Sequence, residues 1–418
     1  MATCYENIKR EHVNREGDVE EYPAGPLLGE IESRLRKLQS ELRKKDIQGA
    51  LIVQNTDLYY FSGTSQQGWL YIPGEGKPLL MIFKEFERAR AESPLEDIVS
   101  LVSPKKIPQT LEGHGYTLPS TLGMELDVLP ANLYFQFLKI FSGCSIVDVS
   151  TPIRLVRAIK SAYEIEKIKT AAAFSDKVAA HFPQLLEVGK TEVALAGELE
   201  AYARSLGHQG IVRMRLFGSE LFYGHLMSGS AAAVPSYLAS PTGGQGVSGL
   251  IGQGAGFKKI KRNESVLVDY VFAYDGYISD HARIFVIGDL PDEMYRAHDA
   301  MLKMQERIKK EAVPGAVTGD LYQLMTDMAE KQGYSQQFMG MGERKIRFTG
   351  HGVGLELDEF PFLAKGQKLE LAEGMVIALE PKVIMPGKGV VGIENTHLVT
   401  AAGLETLNHF PDEICRVS

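Results

Sequence analysis

Cysteine is scarce in this sequence, and the few cysteines form no recognisable set. Cys4, Cys144 and Cys415 are odd in number, lie far apart and match no metal-binding spacing. We therefore expect free thiols and no disulfide framework, as in a protein kept under reducing conditions. Residues 1–21 are charged throughout and lack the apolar segment of a secretory signal. Together these absences predict a cytoplasmic protein.

Long apolar runs and a basic surface are also missing. No apolar stretch approaches the ~20 residues that a membrane-spanning helix needs. The formal net charge is −8, and the basic stretches at 43–45 and 258–262 are short. A protein that binds a phosphate backbone needs a continuous basic stripe, which this sequence does not offer. Neither a membrane nor a nucleic acid is therefore an expected partner.

The composition is that of a globular protein with more than one domain. The chain has 418 residues, of which 44% are apolar and 23% charged. This length exceeds what one ordinary hydrophobic core organises. We predict a polar N-terminal arm at 1–25, a first domain at 26–157 and a second domain at 158–418.

The order of strand and helix signals predicts the fold class α/β (α+β). An amphipathic helix is expected early in the first domain, where apolar residues recur at helical spacing: Ile31, Leu35, Leu38 and Leu42. Asn55 to Gly63 indicates a polar turn followed by aromatic residues. The second domain has two strand-rich regions, at 266–287 and 375–399. Two helical regions, at 292–311 and 318–332, lie between them.

The first strand-rich region contains two carboxylates in apolar surroundings. Asp275-Gly276 is a strong signal for a two-residue hairpin turn, and it would pair Asp269 with Ala282. Since side chains alternate along a strand, Asp269 and Asp280 would then be diagonal neighbours on one face. Two such carboxylates repel each other unless a cation or a proton lies between them. Alternatively, one or both could be hydrogen-bonded in a turn.

The second strand-rich region contains a pair of glutamates. A two-residue turn would place Glu380 and Glu394 on opposite faces, which would leave one glutamate unpaired in a core. A three- or five-residue loop centred on Gly387 would place them directly opposite each other, and we predict such an odd-length loop. An edge salt bridge is the plain alternative for this pair.

A histidine flanked by glycines, His351, completes a possible metal site. A lone histidine in such a setting is more often a satisfied structural residue than a ligand. Four carboxylates in the same half of the chain favour the metal-ligand interpretation of His351, because carboxylates and an imidazole suit divalent Mn, Fe, Co or Zn. Two such ions would lower the pKa of a bound water and polarise a carbonyl group.

The ordered set of these five residues resembles the metal ligands of the pita-bread metallopeptidases, which include methionine aminopeptidase, aminopeptidase P and prolidase. The set is Asp269, Asp280, His351, Glu380 and Glu394. The resemblance implies an N-terminal creatinase-like α/β domain and a C-terminal pita-bread domain with a curved antiparallel sheet, commonly in homodimers. It also implies two divalent metal ions, with Asp280 and Glu394 as bridging ligands. Glu380 would be catalytic, as the group that moves a proton from water to the leaving amine.

Three positions depart from the family pattern. Ser236, followed by Tyr237, stands where the family supplies a substrate-side histidine, and we predict that both bind substrate. Gly392 stands where many members carry an arginine. Among the remaining histidines, His225 is the best replacement catalytic residue, because His281 and His397 should face away from the ligands. Trp69 or Tyr71 would be candidates to reach the active site of a neighbouring subunit.

Asp358 is the third departure, since it replaces a second family histidine. It could be catalytic by orienting the substrate or by binding a free α-amine, and the enzyme would then hydrolyse a small peptide or amide. It could instead be the base of a metal-dependent lyase or an amidohydrolase on the same fold. A solvent-facing aspartate at a strand end is the plain alternative. The predicted function is a dinuclear metal-dependent hydrolase of small peptides or amides that is similar to Xaa-Pro dipeptidases and aminopeptidases. A catalytically silent metal-binding homologue is the alternative from another class.

Overall fold

The computed structural model describes residues 26–219, 223–237, 240–342 and 345–417, so the predicted arm at 1–25 lies outside the described residues. The described chain divides into two compact units, the first of which ends at Val149. The predicted domain boundary at 157 lies slightly further along the chain and stays a prediction. Among the described residues, no helix is both long enough and apolar enough to cross a membrane.

The first unit is a six-stranded mixed sheet with helices in the connections. The elements are α1 (Leu28–Lys44), β1 (Gly49–Ile52), α2 (Asn55–Ser62), β2 (Gly68–Pro73), β3 (Leu79–Ile82), α3 (Phe86–Glu92), β4 (Ile98–Ser100), α4 (Ile107–Gly113), β5 (Thr121–Met124), α5 (Ala131–Ile140) and β6 (Ser145–Asp148). The strands follow the order β4-β3-β2-β1-β5-β6 in the sheet. The apolar positions predicted for the first helix are all buried in α1.

Two expectations for the first unit were wrong. Asn55 to Ser62 forms the helix α2 where a polar turn was expected, because the Gln54 side chain caps the N–H of Asp57 and Gly63 ends the helix at φ +81°. Trp69 and Tyr71, expected to reach another subunit, are only 9% and 2% exposed. Both side chains pack in the hydrophobic core of their own unit.

The described residues of the second unit form three sheets, of five, two and four strands. Its elements are α6 (Ser150–Ala158), α7 (Ala162–Leu185), α8 (Glu192–Ser205), β7 (Gly224–Ser228), α9 (Gly229–Ala232), β8 (Val266–Tyr274), β9 (Tyr277–Ile287), α10 (Asp292–Glu311), α11 (Thr318–Lys331), β10 (Phe348–Gly352), β11 (Glu359–Ala364), β12 (Val376–Leu379), β13 (Lys382–Met385), β14 (Gly389–Gly392), β15 (Asn395–Thr400), β16 (Gly403–Thr406) and β17 (Cys415–Val417). Mixed α/β content in both units confirms the predicted fold class.

A backbone bridge joins two sheets of the second unit and positions the site. Strands β17, β9, β8 and β7 form one sheet, and β11, β10, β12, β15 and β16 form another. Ala282 of β9 pairs with Glu394 just before β15. The N–H of Ala282 donates to the Glu394 carbonyl at 3.1 Å, and the N–H of Glu394 donates back at 3.4 Å. This bridge brings the two predicted carboxylate pairs to the same place.

Candidate metal centre

The hairpin of β8 and β9 has the predicted register. Tyr274 pairs with Tyr277, so Asp275 and Gly276 form a two-residue turn, and both have positive φ, at +49° and +86°. Positive φ at both central residues is the requirement of the hairpin turn that Asp-Gly favours. Asp269 therefore lies opposite Ala282, and Asp280 lies opposite Val271, two pairs further along and on the same face as Asp269.

The hairpin of β13 and β14 has the odd-length loop that we predicted. Met385 pairs with Gly389 and Lys382 with Gly392, which leaves a three-residue loop centred on Gly387. Continued outward, this register sets Glu380 against Glu394. Both side chains are buried, at 4% and 2% exposure. The alternative of an edge salt bridge at the surface is therefore excluded.

Three side chains converge where the two sheets meet. Oδ2 of Asp280 lies 3.7 Å from Nε2 of His351, and Oε1 of Glu394 lies 3.9 Å from the same nitrogen. The three donor atoms all lie within 4.8 Å of one another. Two donors that bind one ion at 2.0–2.2 Å are at most ~4.4 Å apart, so these separations are close to those that a single divalent ion requires. The donor set fits a divalent metal ion.

The other ring nitrogen of His351 faces away from these carboxylates. Nδ1 lies 3.2 Å from the carbonyl oxygen of Gly352 and 3.5 Å from Oδ1 of Asp358. A histidine that binds metal through one nitrogen is commonly oriented in this way through the other. Burial alone would lower the pKa of His351, but the nearby carboxylates of Asp358, Glu380 and Asp280 outweigh burial and raise it.

Asp358 is buried, so the alternative of a solvent-facing aspartate was wrong. Its exposure is 8% and its backbone lies in the left-handed region at φ +62°. Aspartate tolerates that region better than most residues, because its short side chain bonds locally. The carboxylate lines the same cavity as His351, Glu380 and Glu394.

Sequence reasoning missed a lysine inside this centre. The ammonium of Lys382 donates to Oδ2 of Asp269 at 2.9 Å, to Oε2 of Glu380 at 3.0 Å and to Oε2 of Glu394 at 2.6 Å. Its side chain is 1% exposed. Burial alone would lower the pKa of Lys382, but the three carboxylates outweigh burial and raise the pKa well above its ordinary value.

The crowded carboxylates disfavour their own charged forms in the protein without metal. Burial, followed by the charge of Asp269, raises the pKa of Asp280 to about 7. Burial and the charge of Asp280 raise the pKa of Glu394 well above its ordinary value. A divalent ion between these groups would supply the missing positive charge.

The predicted substrate-side residues are only partly brought to the centre. His225 of β7 pairs with Asp269, lines the cavity, and has Nδ1 3.1 Å from Oγ1 of Thr242. Burial lowers the pKa of His225 to about 4, so the ring is neutral at pH 7. Ser236 and Tyr237 are not among the described residues that line the cavity, and Tyr237 is 64% exposed. Their predicted role in substrate binding stays a prediction without geometric support.

His281 and His397, which we expected to face away from the ligands, do lie away from them. Nδ1 of His281 lies 3.1 Å from Oγ of Ser175, on the helix-covered side of its strand. His397 is fully buried in β15, and neither histidine lines the cavity among the described residues.

Similarity to known protein families extends over nearly the whole chain. A sequence model of metallopeptidase family M24 matches residues 166–401, more than half of the chain. The chain belongs to metallopeptidase family M24. Residues 34–159 match the creatinase/prolidase N-terminal domain. The family resemblance stated from the five residues is thereby confirmed.

Three proteins similar to this chain are named as Xaa-Pro dipeptidases or prolidases. The Xaa-Pro dipeptidase of Pyrococcus furiosus is 28% identical over 388 residues, which is 92% of this chain and 100% of that one. The crystal structure of the prolidase from Pyrococcus horikoshii OT3 is similar with a TM-score of 0.75 and 27% identity, covering 91% of this chain and 99% of that one. The Xaa-Pro dipeptidase from Bacillus anthracis, at TM-score 0.79 and 24% identity over 92% and 99% of the two chains, shares the fold.

Proposed function

We propose that this M24 protein is a metal-dependent hydrolase of small peptides, of the Xaa-Pro dipeptidase or aminopeptidase type. The observation that carries the proposal is the convergence of Asp280, His351 and Glu394 on one cation position inside a cavity that Glu380 also lines. The curated and solved relatives named above support the substrate class. The donors suit Mn²⁺, Co²⁺, Fe²⁺ or Zn²⁺. The resemblance predicts two ions, whereas Lys382 favours one.

Each side chain has a distinct part in the proposed reaction. A divalent ion held by Asp280, His351 and Glu394 would supply Lewis-acid polarisation of the scissile carbonyl and of the attacking water. Glu380 accepts the proton of that water and passes it to the amine nitrogen that leaves. Asp358 orients His351, and neutral His225 borders the cavity beside Asp269, where it can hold a substrate oxygen or nitrogen.

A metal-dependent lyase with Asp358 as base is the second candidate. Its support is that the Asp358 carboxylate is buried in the cavity. The same carboxylate lies against Nδ1 of His351, which favours an orienting role over that of a free base. The peptidase proposal therefore ranks first.

The test is a substrate screen on metal-loaded protein. The panel contains Xaa-Pro dipeptides, matched dipeptides without proline, small amides and sulfonium acids, each assayed with His351→Ala as the matched control. We expect Xaa-Pro hydrolysis that chelation and His351→Ala both abolish. Turnover of a sulfonium acid without peptide hydrolysis would favour the lyase. Stoichiometric metal with no turnover at all would favour a catalytically silent homologue.

We also propose that the protein is a homodimer located in the cytoplasm. The family resemblance supports the dimer, and the free thiols of Cys144 and Cys415 support a reducing compartment. Light scattering at micromolar concentration would measure the mass of the particle. Cell fractionation would locate it.

A further inference from the structure

The ammonium of Lys382 occupies a position that is built for a cation. Three carboxylate oxygens, from Asp269, Glu380 and Glu394, surround Nζ at 2.6 to 3.0 Å. We infer that Lys382 is a built-in cation that replaces one of the two metal ions, so that this chain binds a single divalent ion. The inference rests on the proposed metal-dependent function and specifies its centre.

The backbone places Lys382 in the centre by strand alternation. Lys382 follows Glu380 by two residues, and residues i and i+2 of an extended chain face the same side. The partner of Lys382 in the hairpin is Gly392. A Cβ at Gly392 would lie 2.7 Å from Cα and 3.0 Å from Cγ of Lys382. A glycine at position 392 therefore leaves room for the lysine stem, and the arginine that many family members carry there would not fit beside it.

The hydrogen-bonding capacity of Lys382 is fully used. An ammonium group has three N–H donors and no acceptor. The three donors match the three carboxylates one to one. An ammonium also has no vacant coordination position, so it cannot bind a water or a substrate oxygen as a metal ion would. Lys382 is therefore a positioning residue that holds the carboxylates, and it takes no part as nucleophile or base.

A second metal ion and this ammonium exclude each other. A divalent ion would bind carboxylate oxygens at about 2.0–2.2 Å. Nζ already lies 2.6 to 3.0 Å from oxygens of Asp269, Glu380 and Glu394, so an ion bound by the same three oxygens would lie against the ammonium. The two cations would overlap and repel each other.

Glu394 shows how the centre is divided between the two cations. Its Oε2 accepts from Lys382 at 2.6 Å, while its Oε1 lies 3.9 Å from Nε2 of His351. One carboxylate thus bridges two cation positions with one oxygen for each. The position between Asp280, His351 and Glu394 remains for a metal ion, and Asp269 is left to the ammonium.

The test is the number of Mn²⁺ ions bound by the full chain, measured without any assay of activity. Chelator-treated protein is reloaded with Mn²⁺, and bound metal is counted by elemental analysis while electron paramagnetic resonance reports whether the ions are coupled. We expect one isolated ion in the wild type. Lys382→Met, which keeps the stem and removes the charge, should bind two ions with a coupled signal. Lys160→Met is the matched control, because it removes another buried lysine of the same unit and should leave one ion.

Two further variants keep the inference testable if Lys382→Met does not fold. Asp269→Asn should retain one ion, because Asp269 serves the ammonium, and His351→Ala should bind none. Two coupled ions in the wild type, one ion in folded Lys382→Met, or loss of the ion in Asp269→Asn would each overturn the inference. Those results leave the hydrolase proposal standing. If neither the wild type nor any of the variants bound an ion, the hydrolase proposal and this inference would both be overturned.

Discussion

The Asp358 carboxylate lies 3.5 Å from Nδ1 of His351, while Nε2 of the same ring faces Asp280 and Glu394. The imidazole ring is thus held between a carboxylate on one side and the proposed cation position on the other. Such a partner fixes the ring orientation and increases the basicity of the metal-binding nitrogen. We therefore propose that Asp358, which stands where the family resemblance implies a histidine, acts through a ligand of the proposed metal centre.

Asp358→Asn should weaken metal binding about 10- to 100-fold, because the amide cannot supply the negative charge that supports His351. Asparagine tolerates the left-handed backbone, so the fold should be retained. Competition with a fluorescent chelator would measure the dissociation constant for Mn²⁺. Asp46→Asn is the matched control, an exposed aspartate at φ +55°. Unchanged affinity together with a raised KM would assign Asp358 to the substrate instead.

Glu359→Gln should destabilise the protein strongly, by about 3–5 kcal/mol, because buried Lys160 and Arg157 both lose a carboxylate partner, although Arg157 keeps Glu356. Glu359 accepts from Arg157 at 2.5 Å and from Lys160 at 3.2 Å, and all three side chains are less than 10% exposed. Urea denaturation would measure the loss. Asp299→Asn, which breaks the exposed pair with Lys303, should leave the denaturation midpoint nearly unchanged. Equal midpoints for both variants would contradict the expectation.

The same glutamate should make stability depend on acid pH. Burial alone would raise the pKa of Glu359, but Arg157 and Lys160 outweigh burial and hold it at about 2, below the ordinary 4.5. A lowered folded-state pKa stabilises the fold above the ordinary value, and the contribution is lost as pH falls towards the folded value. The gap in unfolding free energy between wild type and Glu359→Gln should shrink by about 3 kcal/mol from pH 6 to pH 2. Denaturation series at several pH values would measure it, and a constant gap would refute the assignment.

Gly392→Ala should lower the melting temperature, because this position requires glycine on two counts. Its φ is +151°, and an added Cβ would lie 2.4 Å from the carbonyl oxygen of Pro381. Strain of this kind costs about 1–3 kcal/mol. The control is Gly197→Ala, on the exposed side of a helix with open space around it, which should stabilise by about 0.5–1 kcal/mol. Calorimetry on both variants would measure the direction in which each melting temperature changes. A higher melting temperature for Gly392→Ala would be inconsistent with the backbone described.

Local sequence chemistry predicted much of the site. The Asp275-Gly276 turn determines the register of its hairpin, and alternation then places Asp269 and Asp280 on one face. The odd loop around Gly387 followed from the cost of an unpaired buried glutamate. The predicted helix at 292–311 agrees with α10 at both ends.

The features that were missed depend on contacts between distant segments. Lys382 could have been found, since it follows Glu380 by two residues on the same face, but lysine is so commonly exposed that burial was not expected. The left-handed backbone of Asp358 and the bridge between Ala282 and Glu394 have no local signal. Tertiary packing alone determines them.

The backbone bridge between Ala282 and Glu394 has a consequence for the exchange of the cation. Because main-chain hydrogen bonds hold the two sheets together at this point, the separation of the ligand-bearing strands is set when the chain folds. The entropy of assembling the ligands is then lost during folding, before any ion arrives. The proposed centre is preorganised, and we expect an ion to enter or leave it without unfolding of the strands that hold it.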